Sequence, residues 1–368
     1  MTTAIAFLAN NGALGGGEVM LLRMARAAKD LGVTVQVVGP TEPTGLRQAC
    51  EQAGLAYVPI PGADRRAYLV NLARRRGSLG SGLLWCNGLV PALATAMARR
   101  ERVIHLHQLP TGPQQLVERL ASARSLATVV PSHFMQRHVR DSLALQNWTD
   151  RVEPVVRERD ADSPTAIGFI GRLSPMKGVD VLADAMGLLE DRHPGRFRLV
   201  IAGDSRFVSP KDAERVQGKL AAIDGATTRL GWVDPDRFHR LIDVAVVPSV
   251  WDEPFGLVAA EAMALGTPLV VSDAGALTEV VPPDHPWVAR RGDPADLADK
   301  IEQLAVDVDA CHEVVGRVRA RWASHFSPEA GRQRFAALLE SLGVDLGPAA
   351  GASGQQSLGL PTGQEEAG

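Results

Sequence analysis

The chain lacks any run approaching the roughly 20 consecutive apolar residues that cross a bilayer. Its start, Met1-Thr2-Thr3-Ala4-Ile5-Ala6-Phe7-Leu8, has no basic segment ahead of the apolar one, so no secretory leader is expected. Cysteine is scarce. Cys50, Cys86 and Cys311 are odd in number and far apart, which speaks against a disulfide or cysteine-metal framework and fits a reducing cytoplasm. A positive excess is missing too: the formal net charge is −3, which gives no global argument for nucleic acid. The dinucleotide fingerprint is also absent. The first glycine-rich loop reads Gly12-Ala13-Leu14-Gly15-Gly16-Gly17-Glu18, not Gly-x-Gly-x-x-Gly. The second apolar run ends Val37-Val38-Gly39-Pro40 without an acidic residue, which disfavours a nicotinamide-dependent dehydrogenase.

What is present is the composition of a folded protein, 45% apolar and 22% charged, on 368 residues, a length comfortable for two cores. Short apolar runs alternate with helical periodicity. Strands are expected over 4–8, 33–38, 55–58, 83–86, 103–106 and 128–130, and a helix over 18–31 with Val19, Leu22, Met24, Ala25 and Ala28 as its apolar face. The rhythm breaks between Trp148 and Pro164, a stretch rich in Asp, Glu, Arg and Pro that reads as a linker. It restarts with strands over 166–170, 198–202, 228–230, 244–247 and 269–271, and helices over 179–191 and 256–265. The fully apolar runs fit parallel strands buried on both faces, so each half is read as a Rossmann-like, doubly wound α/β domain. The expected boundaries are 1–155, 156–326, a C-terminal helix over 327–343, and a tail over 344–368 without periodicity.

Between Pro61 and Arg102 there are eight basic residues, Arg65, Arg66, Arg74, Arg75, Arg76, Arg99, Arg100 and Arg102, against Asp64 and Glu101. The stretch reads as solvated helix faces, with weak peripheral membrane contact as the functional alternative. Three Asp-x-Asp triplets occur, Asp160/Asp162, Asp234/Asp236 and Asp307/Asp309. None has converging ligands in sequence, so no metal is expected.

Three constellations carry chemistry. The glycine loop Gly12–Gly17 precedes a helix, whose free N–H groups suit an anion. Gly171-Arg172-Leu173-Ser174-Pro175-Met176-Lys177-Gly178 follows the first strand of the second half. Arg172 offers a planar fork for phosphate oxygens, and Lys177 adds a point charge at a helix start. The third runs from Pro248 to Gly266 and carries Trp251-Asp252-Glu253-Pro254-Phe255-Gly256-Leu257-Val258-Ala259-Ala260-Glu261. Glu253 precedes a helix and Glu261 lies within it. Both carboxylates can accept hydrogen bonds from sugar hydroxyls. His107 closes the run Val103-Ile104-His105-Leu106-His107 at the carboxyl end of a strand.

The third stretch closely resembles the Glu-x₇-Glu signature of retaining, GT-B fold glycosyltransferases, in particular family four of that class. The Gly-Arg-Leu-x-x-x-Lys-Gly run and the first glycine loop resemble the same family, over most of the chain from Ile5 to about Leu342. The resemblance implies two Rossmann-like domains facing across a cleft, an acceptor domain first and a nucleotide-sugar donor domain second. A final helix would cross back to the first. By similarity, Arg172 and Lys177 contact the donor diphosphate. Glu253 binds the donor sugar, with the amides of Phe255, Gly256 and Leu257 nearby, Leu257 and Val258 approach the phosphates at the helix start, and Glu261 holds the ribose. The backbone of the Gly231-Trp232-Val233 loop meets the nucleobase, Gly16 and Gly17 close over the donor, and His107 orients the sugar or the transfer centre.

The implied reaction moves a sugar, with retention and without a metal or other cofactor, from a nucleotide-diphosphate sugar to a hydroxyl acceptor. A UDP-sugar is expected first and a GDP-sugar next. The acceptor is a small polar metabolite, a glycan or a lipid-linked sugar. The alternatives on such a scaffold are a nucleotide-sugar epimerase, a phosphorylase, or a non-catalytic nucleotide-sugar binding protein.

Overall fold

A computed structural model describes residues 4–80, 82–155, 163–206, 208–306 and 308–346. The chain forms two compact units, one from the residues up to Trp148 together with the segment from Pro328, the other from Thr149–Ser327.

The first unit holds a seven-stranded sheet of β1 (Ala4–Leu8), β2 (Thr34–Pro40), β3 (Ala56–Ile60), β4 (Leu83–Asn87), β5 (Arg102–His105), β6 (Ala127–Val130) and β7 (Ser142–Ala144). The order is β3-β2-β1-β4-β5-β6-β7 and every pairing is parallel. The second unit holds a six-stranded parallel sheet of β8 (Thr165–Ile170), β9 (Phe197–Ala202), β10 (Thr227–Arg229), β11 (Val244–Val247), β12 (Leu269–Ser272) and β13 (Val288–Ala289). Its order is β10-β9-β8-β11-β12-β13, again all parallel. Each sheet is doubly wound. The strand order reverses between β1 and β4 in the first and between β8 and β11 in the second, and ligands bind such sheets outside the carboxyl ends at the reversal.

The central strands form because their runs are apolar on both faces: β4 (Leu-Leu-Trp-Cys-Asn) and β11 (Val-Ala-Val-Val) are buried throughout. The edge strands β7 and β13 are three and two residues long, too short for periodicity to mark them. On one face of the first sheet the helices Gly16–Asp30 and Pro328–Ser341 contribute Met20, Leu21, Met24, Phe335 and Leu339 to a core that includes Trp85. Phe335 meets Trp85 edge-on, with ring centroids 5.4 Å apart.

Three details differ from the sequence reading. The partition falls at Trp148/Thr149, not at 155, because residues 149–155 pack with the second unit. Trp322 Nε1 donates to Thr149 Oγ1 at 2.8 Å, and the Val155 N–H donates to the Leu265 carbonyl at 2.9 Å. The expected tail starts too early: Val344 is buried in the first core and its N–H donates to the Leu339 carbonyl at 3.0 Å. The tail beyond 346 and the linker residues 156–162 lie outside the described residues. Finally, Arg102 does not belong to a solvated basic face. It is 1% exposed and donates to the carbonyls of Ala92, Ala121 and Ala123 at 3.2, 3.1 and 2.9 Å, closing two helix ends over the sheet.

The C-terminal helix docks where Gly331 leaves no room for a side chain: a Cβ there would overlap the Trp148 ring. Gly331→Val is therefore expected to lower stability by about 1–3 kcal/mol through overpacking, measured by thermal or urea unfolding. Gly316 has nothing within 4 Å of its Cβ position, so Gly316→Ala should raise stability by up to about 1 kcal/mol in the same assay.

Candidate functional site

In the second unit the loops leaving β8, β11 and β12 are neighbours. Gly178 joins the first two. It has φ +72°, and a Cβ there would run into the Pro248 carbonyl. The Val250 N–H donates to the Met176 carbonyl at 2.9 Å. The β12 loop joins through the Ala276 N–H, which donates to the Glu253 carbonyl at 2.9 Å, and through Ser272 Oγ, which donates to the Ser249 carbonyl at 2.6 Å.

These contacts hold Glu253 in place. It is 5% exposed, and its Oε1 accepts from Lys177 Nζ at 2.5 Å and from Ser249 Oγ at 2.5 Å. Oε2 has no protein partner among the described residues. Lys177 Nζ also lies 5.4 Å from the Trp251 ring centroid. Two helices start at this point without a side-chain cap: Val179–Arg192 after Gly178, and Leu257–Leu265 after Gly256. Their first-turn N–H groups, Leu257 and Val258 among them, present the positive end of the helix dipole. Arg172 is exposed, with no side-chain partner among the described residues. A buried carboxylate with one oxygen unengaged among the described residues, two cations and two uncapped helix starts together suit a ligand that carries both a phosphate and hydroxyls.

The other expected residues of this unit fall around the same strand ends. Phe255 is buried, and Glu261 is half-buried one turn beyond Leu257. Trp232 and Val233 follow β10, where the Gly203 N–H donates to the Gly231 carbonyl at 2.6 Å and ties the end of β9 to that of β10. Trp232 is 45% exposed, an open aromatic face suited to stacking. Asp234 has a structural role: it caps the helix Pro235–His239 by accepting from the Asp236 N–H at 2.9 Å. Burial, then the Asp234 charge, raises the Asp236 carboxyl above its usual pKa. Asp160, Asp162, Asp307 and the side chain of Asp309 lie outside the described residues. Among the described residues no group of three His, Cys, Asp or Glu side chains converges as a metal site.

In the first unit the loop after β1 and the ends of β4 and β5 build a second, uncharged cluster. The Cα of Gly17 packs on the His107 imidazole, and a Cβ there would lie 3.1 Å from Cδ2. His107 Nε2 lies 2.6 Å from Asn87 Oδ1, and Asn87 Nδ2 donates to the Gly17 carbonyl at 3.1 Å. Burial pushes the His107 pKa down to about 4, so the ring is neutral at pH 7. His105 is fully buried beside it, centroid to centroid 4.1 Å, and its pKa lies well below the usual histidine range because of burial and the His107 charge. Gly16 opens the helix Gly16–Asp30. Glu18, in its first turn, bends back onto the loop. Its Oε2 comes within 3.3 Å of where a Gly15 Cβ would stand, and burial raises its pKa to about 7 against the opposing pull of nearby backbone N–H groups. Sequence reasoning missed Asn87, Glu18 and Ser249. The available signal for Asn87 was a polar residue followed by glycine at the end of an otherwise apolar strand.

Residues 164–307 match the family model of glycosyl transferases group 1. A D-inositol 3-phosphate glycosyltransferase of Corynebacterium jeikeium is 34% identical over 197 residues, covering 52% of this chain and 45% of that protein. A glycogen synthase of Mycobacterium tuberculosis is 33% identical over 192 residues, covering 51% and 44%. The chain thus spans less than half the length of these curated relatives. HepE of Anabaena, solved in complex with UDP and glucose, superposes with a TM-score of 0.79 at 21% identity, over 93% of this chain and 100% of that one. That likeness identifies the fold as GT-B.

Glu18 makes the pH dependence of stability testable. Its folded pKa is raised from 4.5 to about 7, so the folded protein binds the proton more tightly than the unfolded chain. Stability from this group is complete below about pH 4.5 and is lost as pH rises towards 7, by on the order of 1–3 kcal/mol. Glu18→Gln is expected to flatten that decline in melting temperature between pH 5 and 7.5. An unchanged slope would remove the assignment.

Proposed function

We propose that this chain, whose second unit belongs to the group 1 glycosyltransferases, transfers a sugar with retention, and without a metal, from a nucleotide-diphosphate sugar to a hydroxyl acceptor. The observation that carries the reading is the Lys177–Glu253–Ser249 cluster beside two uncapped helix starts, with Arg172 unengaged. Arg172, Lys177 and the amides of Leu257 and Val258 bind the diphosphate. Glu253 Oε2 and the amides of Phe255 and Gly256 take sugar hydroxyls. Glu261 holds the ribose, and Trp232 and Val233 meet the base. His107, with Gly16 and Gly17, acts on the sugar. A UDP-sugar is the first candidate, because HepE was solved with UDP and glucose, and a GDP-sugar is the second.

In the proposed step the acceptor oxygen attacks the anomeric carbon on the face from which the phosphate departs. The carbon–oxygen bond to the acceptor forms as the bond to the phosphate breaks, and the departing phosphate oxygen takes the acceptor proton. Arg172, Lys177 and the helix-start amides stabilise the charge that accumulates on the diphosphate, the usual source of the largest rate term. Lys177 gives up one of its three N–H donors to Glu253 and keeps the others for phosphate. An epimerase or phosphorylase on this scaffold is separated by assaying donor turnover with and without acceptor.

Lys177→Ala and Arg172→Ala are each expected to lower turnover by roughly 10²-fold or more while the fold is retained. Near-normal turnover in either variant sinks its assigned role. The donor is identified by thermal shift against UDP-, GDP-, ADP- and dTDP-sugars, since a bound donor raises the melting temperature by mass action.

The first unit is also proposed to touch an anionic membrane surface weakly. Arg65, Arg66, Arg74, Arg75 and Arg99 are exposed, with Leu93 and Met97 exposed nearby in sequence. Each arginine near an anionic surface contributes about 1 kcal/mol. Co-sedimentation with phosphatidylserine vesicles, but not with phosphatidylcholine vesicles, is the expected result, and equal partition between the two rejects the contact. No helix among the described residues is long and apolar enough to cross a membrane.

A further inference from the structure

We propose that Asn87 is a positioning residue that fixes the hydrogen-bonding state of His107 and locks it to the glycine loop. The functional consequence rests on His107 acting on the donor sugar. The geometry itself does not.

Asn87 ends β4 at the strand reversal and is 1% exposed. Both ends of its amide are committed. Nδ2 donates to the Gly17 carbonyl at 3.1 Å, and a carbonyl can only accept. That contact sets which end of the amide is nitrogen, so Oδ1 must face His107 Nε2 at 2.6 Å as an acceptor. His107 therefore carries its proton on Nε2. A neutral imidazole has one N–H, so Nδ1 is left with a lone pair. Among the described residues Nδ1 has no hydrogen-bond partner.

Among the described residues no other neighbour supplies this constraint. Gly17 presents its Cα to the ring, a packing contact without polarity. His105 lies against the ring at 4.1 Å between centroids, but neither of its own ring nitrogens has a hydrogen-bond partner. Of the titratable groups on the elements packed around His107, His105 on β5 lies against it and Glu18 follows Gly17 in the first turn of the helix Gly16–Asp30. Cys86 on β4 faces Thr95, Arg102 on β5 donates to the Ala92, Ala121 and Ala123 carbonyls, Arg23 donates to the Trp148 carbonyl, and Arg26, Lys29 and Asp30 lie further along the helix. Without Asn87 the ring is free to exchange tautomers or flip. With it, His107 presents one acceptor lone pair, which matches a sugar hydroxyl and does not complement another acceptor. The same amide ties β4 to the glycine loop, so the direction of the lone pair and the seat of Gly17 are set together.

The experiment measures the ring nitrogens of His107 by ¹⁵N NMR in the wild type, Asn87→Ala and Asn87→Asp, with His107→Ala for assignment. Donor KM and kcat are measured on the same proteins. The expected wild-type result is a single Nε2–H tautomer at pH 7. Asn87→Ala should mix the tautomers and lower kcat about tenfold to a hundredfold, with KM moving less. Asn87→Asp keeps an acceptor on Nε2 but places a negative charge beside the ring. It should retain the Nε2–H tautomer and raise the pH at which His107 takes its second proton. Since the protonated ring has no lone pair to offer, transfer by Asn87→Asp should fall as pH drops through that raised value, while the wild type holds.

A wild-type Nδ1–H tautomer overturns the proposal. So does an Asn87→Ala protein that keeps a pure Nε2–H ring and a normal kcat. Normal transfer by His107→Ala would instead overturn the role given to His107, and the tautomer measurement would still decide whether Asn87 sets it.

Discussion

Glu253 is a buried carboxyl group, and the organisation of the second unit follows from keeping it there. Removing a carboxylate from water costs several kcal/mol unless charge and hydrogen bonds replace the solvent. Here the replacement comes from two loops at once. Lys177 arrives from the β8 loop, and Ser249 from the β11 loop that carries Glu253 itself. Neither can reach unless the loops are in register, and that register is set by the Gly178 backbone against Pro248 and by the Met176 carbonyl under Val250. The β12 loop completes the support through Ala276 and Ser272. The short apolar strands β8, β11 and β12 are the rigid base that lets three loops meet within hydrogen-bond distance.

The first unit uses the same topology to a different chemical end. Its reversal point between β1 and β4 gathers Asn87, His107 and the glycine loop, all uncharged at pH 7. The second unit gathers charge at its strand ends, and the first gathers neutral hydrogen-bonding groups at its own. A protonated His107 would be expensive, because burial disfavours the cation and His105 adds repulsion when both rings are charged. The low pKa is thus a consequence of where the ring sits.

Much of this was legible in the residues. Fully apolar runs of four to six residues separated by helical periodicity admit few readings other than buried parallel strands, and β1 and β11 fall on their expected spans. Lys177 and Glu253 stood out because cations and carboxylates beside glycines at strand ends are uncommon in a purely structural turn. What stayed hidden has a common cause. Arg102 counted as one more charge in a basic run, since sequence does not reveal that three main-chain carbonyls close around it. Asn87 lay just past the expected strand 83–86 and drew no role, since its two partners are 70 and 20 residues away. Thr149 read as linker until Trp322, 173 residues on, claimed its hydroxyl. Each depends on long-range pairing, which local pattern does not encode.

The distribution of unsatisfied polar groups bears on the same division. Beneath His107, both nitrogens of His105 and the indole N–H of Trp85 are buried with no hydrogen-bond partner among the described residues, and the Trp85 and His105 rings meet edge-on at 5.8 Å. Each such group costs about 1–3 kcal/mol relative to a satisfied or apolar replacement. A core selected for stability alone would carry apolar side chains there, as β4 and β5 do at Leu83, Leu84, Val103 and Ile104. Unpartnered buried atoms also occur elsewhere among the described residues, at Asn147, Asp180, Trp251 and His285, but three atoms on two adjacent rings beside one histidine make a local cost. It falls at the strand ends where the topology places a ligand, and not in the equally buried centre of the second sheet, where Ile167, Val246 and Val270 are apolar throughout. Missing partners of this kind are expected where a fold gives up stability to hold a group in a fixed state. His107 and the residues that seat it therefore sit where this fold tolerates local instability.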